Sequence, residues 1–232
     1  MLNKKNQEKI VAVLEHKNYK TFNDYFIAYP TDTSTVSSLV KLANKFLFNI
    51  QIVGSGSTDL SSSKSDNVLY LSTIKLNNII EIDIDNFFIN VQSGLIWSKL
   101  FNDLNERSMY FPLLHDKNCG RTIGGILSTL NSFSSAATYF KGIEFVSPTG
   151  DIIKYGCKTL KNVSGYDLSQ FMIGSFGKFG VITSVLMKLN SSEKYFFTPD
   201  KITKTDYSIF TENEYALVSR IKKEIDPNDV LI

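Results

Sequence analysis

Apolar side chains recur every third or fourth position at Val36, Leu39, Val40, Ala43 and Leu47, which is the spacing of one face of an α-helix. Thr33 or Ser34, just ahead of this run, can cap the free amides at its start. The pattern then changes, and residues 49–53 predict a short buried strand running straight into Gly54. This order puts a glycine loop at the carboxyl end of a strand, where ligands commonly bind in α/β sheets. Residues 67–72, 79–84 and 87–92 predict further strands, the last two joined by a turn at Asp85-Asn86. Residues 95–107 predict a second amphipathic helix, with Leu95, Ile96, Leu100 and Leu104 on its apolar side. A short helix over 122–130 follows, entered through Thr122-Ile123-Gly124-Gly125. Residues 142–147 and 151–155 predict a hairpin over Pro148-Thr149-Gly150, whose proline and glycine suit a tight turn. A strong strand over 181–189 closes the main pattern. Shorter helices are expected over 6–16, as an N-terminal brace, and over 210–224, where Asp226-Pro227 ends the run.

Composition narrows the classes without choosing one. Hydrophobic residues at 43% and charged residues at 21% are ordinary for a globular chain, and 232 residues can bury a sizeable core. A net charge of +2 and the absence of any basic block set nucleic acid aside as a partner. Two cysteines, Cys119 and Cys157, cannot furnish a structural zinc or iron–sulfur site, and His16 and His115 lie far apart, so no metal site is expected. The five apolar residues from Ile10 to Leu14 are too few for a signal peptide, and no run approaches the roughly 20 needed to span a bilayer. A cytoplasmic chain is the expectation, reaching the inner face of the membrane only through partners, without direct insertion.

Three glycine-bearing segments carry the candidate chemistry. Gly54-Ser55-Gly56-Ser57-Thr58 can turn successive backbone N–H groups toward one anion, although an ordinary strand-to-loop turn would look the same. It is no nucleotide P-loop, since no Gly-Lys-Ser/Thr follows, and Asp59 stands where a dinucleotide fingerprint needs its third glycine. Thr122-Ile123-Gly124-Gly125 fits either a second backbone surface, with helix amides facing an anion, or close helix packing. Gly174, Gly177 and Gly180 fit a loop whose backbone approaches a flat ligand, or a glycine-rich bulge. Between the last two segments lies Lys161-Asn162-Val163-Ser164-Gly165-Tyr166-Asp167-Leu168.

At these residues the chain resembles the flavoprotein family of vanillyl-alcohol oxidase and p-cresol methylhydroxylase (PCMH-type), and within it the small FAD-binding subunits of glycolate oxidases. That subfamily shows Lys-Asn-Val-Ala-Gly-Tyr-Asp-Leu where this chain differs only at Ser164. The resemblance runs from about Tyr29 to Leu189 and takes in Tyr29-Pro30, the Gly54 loop, Phe111-Pro112-Leu113, the Thr122 motif and the Gly174 segment, in the family's order. It implies an α+β, two-lobed PCMH-type FAD-binding domain with the cofactor between the lobes. Gly54, Ser55, Gly56, Ser57 and Thr58 would bind the FAD pyrophosphate. Pro112, Thr122, Ile123, Gly124 and Gly125 would line the wall near the ribityl chain and isoalloxazine. Gly180, Val181 and Ile182 would meet the nucleotide through their backbone. No histidine occupies the pyrophosphate loop, which implies noncovalent FAD.

The departures from the family pattern concern activity. Ser132, Ser134, Ser135 and Thr138 stand where relatives carry a glycine-rich, arginine-containing stretch, and Phe176 stands in place of an acidic residue. The 43 residues over 190–232 cannot form a full substrate cap domain, and 225–231 resemble the family's closing segment, so a cap deleted from within is implied. The expected organisation is a brace over 1–26, the FAD domain over 27–189, and a linker with a returning C-terminal helix over 190–232. His115, Lys161 and Tyr166 were weighed for chemistry, and no catalytic base is assigned among them. The resemblance implies an FAD-binding accessory subunit of a glycolate- or lactate-type 2-hydroxy-acid dehydrogenase, with a larger catalytic flavoprotein and an iron–sulfur subunit as partners. A compact FAD oxidoreductase whose pocket a partner completes, and a non-catalytic scaffold that has lost flavin, are the alternatives.

Overall fold

Four side chains at helical spacing, Val36, Leu39, Val40 and Ala43, are completely buried in a computed structural model of the chain, which describes residues 2–14, 18–22, 25–56, 67–111, 119–130, 135–156, 171–191 and 212–232. They lie on the helix Thr33–Phe46, labelled α2; a shorter helix α1, Lys4–Val13, packs against it. Burying each valine or leucine contributes about 1.5–3 kcal/mol, and a cap about 1 kcal/mol, so packing rather than capping fixes where α2 sits. The cap itself is Asp32 rather than the expected Thr33 or Ser34: its carboxylate accepts from the Thr35 N–H at 2.8 Å. The carboxylate also gathers the Ser34 and Thr35 hydroxyls. An ionised acceptor outcompetes a hydroxyl for the same amides. α1 begins earlier than expected for a similar reason, because the Asn3 side chain accepts from the Asn6 N–H.

The helix α2 covers a four-stranded sheet made of β1 (Tyr19–Thr21), β2 (Phe26–Ala28), β3 (Asn49–Val53) and β4 (Val68–Ser72), in the order β1-β2-β4-β3. β4 pairs in parallel with both β2 and β3, and all five of its side chains are buried, as expected for an interior parallel strand. The second sheet is antiparallel: β5 (Ile79–Asp83), β6 (Phe88–Gln92), β7 (Phe140–Val146), β8 (Ile152–Gly156) and β9 (Val181–Lys188) run in the order β5-β6-β9-β7-β8. Helices α3 (Trp97–Glu106) and α4 (Ile123–Thr129) bury Trp97, Leu100, Leu104, Ile126 and Leu127 in a core shared with this sheet.

Two features tie the sheets together. Val146 and Val181, at the ends of β7 and β9, belong to the core beneath α2 rather than to that of their own sheet. The α2 side chains also reach the β7–β8 hairpin, Ser37 donating to the Gly150 carbonyl at 2.5 Å and Asn44 to that of Pro148 at 2.8 Å. α5 (Glu212–Ile225) packs Val218, Ile221 and Ile225 against the second core, and the chain then returns to the first sheet. There the Ile50 N–H donates to Val230 and the Ile232 N–H to Ile50, pairing Leu231 in parallel with β3. The buried Asp226 carboxylate accepts from the Val230 and Leu231 N–H groups and holds this return in place.

α3 starts two residues later than its apolar pattern predicts. Ile96 bridges antiparallel to Thr122, the Trp97 N–H donates to Arg121, and the Ile123 N–H donates to Leu95. Leu95 and Ile96 are thus drawn out of the helix to anchor the entry of α4.

Candidate cofactor cleft

β3 delivers Gly54 to the point where α4 begins. A Cβ on Gly54 would stand 2.5 Å from the Thr122 hydroxyl oxygen, so only glycine lets the first and second glycine turns touch there. Thr122 is fixed in turn because its hydroxyl accepts from the Gly125 N–H at 3.1 Å, capping α4. The third turn docks on the other end of α4: the N–H groups of Gly174 and Phe176 donate to the carbonyls of Leu127 and Ser128. Gly177, with φ +80°, then rests against Ile52 of β3, and a Cβ there would come 3.2 Å from the isoleucine side chain. Turns far apart in sequence therefore meet around one cleft of about 480 Å³, within the usual size of small-molecule sites.

Gly54, Ser55, Thr122, Gly124, Gly125, Gly180 and Ile182 line this cleft. Gly56 follows in the same turn, at φ +80°, with no described residue within 4 Å of where its Cβ would be. Ile123 and Val181 do not line it: their side chains are taken into the second and first cores respectively. Ser57, Thr58 and Pro112 lie outside the described residues, as do His115, Lys161, Tyr166 and the whole segment 161–168.

The hydrogen bonds correct one expectation. The N–H groups of Ile123, Gly124 and Gly125 are all occupied, by the Leu95 carbonyl, the Ser93 carbonyl and the Thr122 hydroxyl. The start of α4 therefore does not offer its amides to an anion, because the same amides weld α4 to the second sheet. In the first turn the situation is reversed. No hydrogen bond among the described residues uses the N–H groups of Gly54, Ser55 or Gly56.

Side chains that sequence reasoning passed over complete the walls: Gln51, Thr73, Arg121, Ser128, Thr129 and Lys178 among them. Among the described residues, Arg121 and Lys178 are the charged side chains of the lining, and no carboxylate side chain, imidazole or phenol belongs to it. Burial lowers the Arg121 guanidinium from its usual value, opposed by Cys119, and it remains a cation. Lys178 is also lowered, first by burial and then by the neighbouring Lys222, against the pull of Asp229. A cleft whose described residues offer open loop amides, two cations and no acidic side chain fits a dinucleotide with its paired phosphates.

A family model described as an FAD binding domain matches residues 25–156, more than half of the chain. The chain belongs to this PCMH-type FAD-binding family. Its curated relatives include the glycolate oxidase subunit GlcD of Bacillus subtilis, 30% identical over 179 residues, covering 74% of this chain and 38% of that protein. A D-lactate dehydrogenase of Anaerostipes hadrus is 29% identical over 171 residues, covering 71% of this chain and 36% of the relative. This FAD-binding domain thus spans under two fifths of the length of those two relatives. Among solved structures, alkyldihydroxyacetonephosphate synthase shares the fold, with a TM-score of 0.68 at 18% identity, covering 82% of this chain and 41% of the other. Among the described residues no helix is long and apolar enough to cross a membrane, and no cluster of three or more metal-ligating side chains occurs.

Proposed function

We propose that this chain is the FAD-binding subunit of a glycolate- or lactate-type 2-hydroxy-acid dehydrogenase complex, holding its cofactor noncovalently between the two lobes. It works beside a larger catalytic flavoprotein and an iron–sulfur subunit. The observation that carries the reading is the cleft: three glycine turns meet there, with cationic walls and, among the described residues, no carboxylate side chain, imidazole or phenol. FAD supplies the redox chemistry when bound. Oxidising a hydroxyl group also needs a base within hydrogen-bond reach of its proton. No carboxylate, imidazole or phenol of the described walls can take that proton, and a partner subunit is the source this reading assigns. The similarity to a glycolate oxidase subunit and to D-lactate dehydrogenases supports the substrate class. The absence of histidine from residues 53–58 supports noncovalent attachment.

Gentle affinity purification from the native cell, read with the flavin absorption spectrum, tests this. The expected result is a yellow chain accompanied by a larger flavoprotein and an iron–sulfur protein. D-lactate or glycolate should bleach the flavin of the complex but not that of the isolated chain. Bleaching by the isolated chain would replace this reading with a compact, self-sufficient oxidoreductase.

A further inference from the structure

Among the described residues, Arg121 keeps donors that its hydrogen bonds do not use. Its Nη2 donates to the Gly125 carbonyl at 2.9 Å and to the Thr129 hydroxyl at 2.6 Å, so both hydrogens of that nitrogen are used on α4. A guanidinium has five donors. The other three, on Nε and Nη1, find no partner among the described residues, and no carboxylate there pairs with the charge. The residue is half-buried on the wall of the cleft. Its backbone is fixed as well, since its carbonyl accepts from the Trp97 N–H in the bridge ahead of α3. The guanidinium is thus fastened at Nη2, while Nε–H and the two Nη1 hydrogens point in separate directions, each able to meet one anionic oxygen.

The neighbouring backbone strengthens the point. Because the first amides of α4 are already occupied, helix N–H groups cannot neutralise an anion lying against this wall. The Gly54 turn, with its amides unbonded among the described residues, borders a cleft whose described charged side chains are Arg121 and Lys178. Arg121 directly precedes Thr122, and Thr122 touches Gly54, so the guanidinium and the loop amides belong to adjoining parts of one wall.

We propose that Arg121 is the side-chain counter-ion of the cofactor diphosphate, closing over it from α4 while the Gly54 turn supports it from β3. This rests on the reading of the cleft as an FAD site. It assigns the diphosphate recognition of this chain to a guanidinium together with one loop, rather than to helix amides.

Titration of the full chain with FAD, ADP and riboflavin tests the assignment, using flavin fluorescence quenching and, for ADP, calorimetry. Arg121→Gln should weaken FAD and ADP by about ten- to a hundredfold, the effect of losing hydrogen bonds to a charged group, and leave riboflavin within about twofold. Arg121→Lys keeps the stem and charge, protecting the fold, and should weaken the same two ligands several-fold because one ammonium cannot bond α4 and also reach the diphosphate as the spread donors of a guanidinium do. Unchanged FAD and ADP affinity in whichever variant retains the wild-type thermal transition overturns the proposal. So does an equal loss for riboflavin, which would put the guanidinium at the flavin ring. A wild-type chain that binds none of the three ligands sinks the FAD reading itself, and this assignment with it.

Discussion

Gly54 and Thr122 show how one residue pair sets the geometry of the cleft. The hydroxyl that caps α4 occupies the space a Cβ at position 54 would need, so the two positions are energetically coupled. Gly54→Ala should destabilise the chain by about 1–3 kcal/mol, the range for overpacking a close contact. Thr122→Ala alone should cost about 1 kcal/mol through the lost cap. Together they should cost clearly less than the sum, because removing the hydroxyl relieves the clash. Urea denaturation of the four proteins measures this, and strict additivity would mean the turns do not press on each other. At this scale the sequence was only partly legible. It marked Gly54 and Thr122 as candidates on separate turns, but no local pattern showed that Gly54 makes room for the Thr122 hydroxyl. Arg121 gave no periodic or spacing signal, because its importance comes from donors left over after Gly125 and Thr129 are satisfied.

Between elements, the decisive contact is a carboxylate on β7. Glu144 accepts from Thr33 at the start of α2 and from Thr183 on β9, at 2.6 and 2.8 Å, and pairs with Lys154 of β8 at 2.7 Å. Burial pushes its pKa up, but hydrogen bonds from Lys154, Thr33 and Thr183 outweigh burial and leave it below the ordinary 4.5. A carboxyl whose folded pKa lies below its unfolded one stabilises fully above the unfolded value and loses that contribution as pH falls through the folded value. Glu144→Gln should therefore be less stable than wild type at neutral pH, with the difference shrinking once pH drops below about 4.5. Chemical denaturation at several pH values checks this; a difference that stays constant into acid would remove Glu144 from the account. Elements were the most readable level. The strand over 49–53 and the short helix entered through Thr122 agree with the sequence pattern because local spacing dictates both. The start of α2 was misread at Asp32, where three successive capping residues compete and only charge separates them. The start of α3 was missed because a tertiary bridge, invisible to periodicity, draws Ile96 away.

Across the whole molecule, the cleft exists because two sheets share a seam. Val146 and Val181 sit in the core under α2, α4 is clasped by the first and third turns, and the returning Val230–Ile232 segment extends the edge of β3 until Ile232 lines the cleft. The ordered glycine segments made the family legible, since their sequence order survives however the chain folds. Their meeting was not legible, because Gly177 against Ile52 is a contact between residues more than a hundred positions apart. Nor did any local pattern reveal that the amides of α4 are already occupied, which leaves the Gly54 turn as the open backbone surface. Gly56 is the position to probe, having no described residue against it and a φ that a side chain adopts at a cost of about 1–2 kcal/mol. The most direct measurement is FAD titration of the full chain beside its Gly56→Asp variant, with thermal unfolding as the check on folding. Wild type should bind FAD that acid precipitation releases intact, and the folded variant should not bind it. A colourless wild type that cannot be reconstituted, or a variant binding FAD as tightly as wild type, would contradict the account.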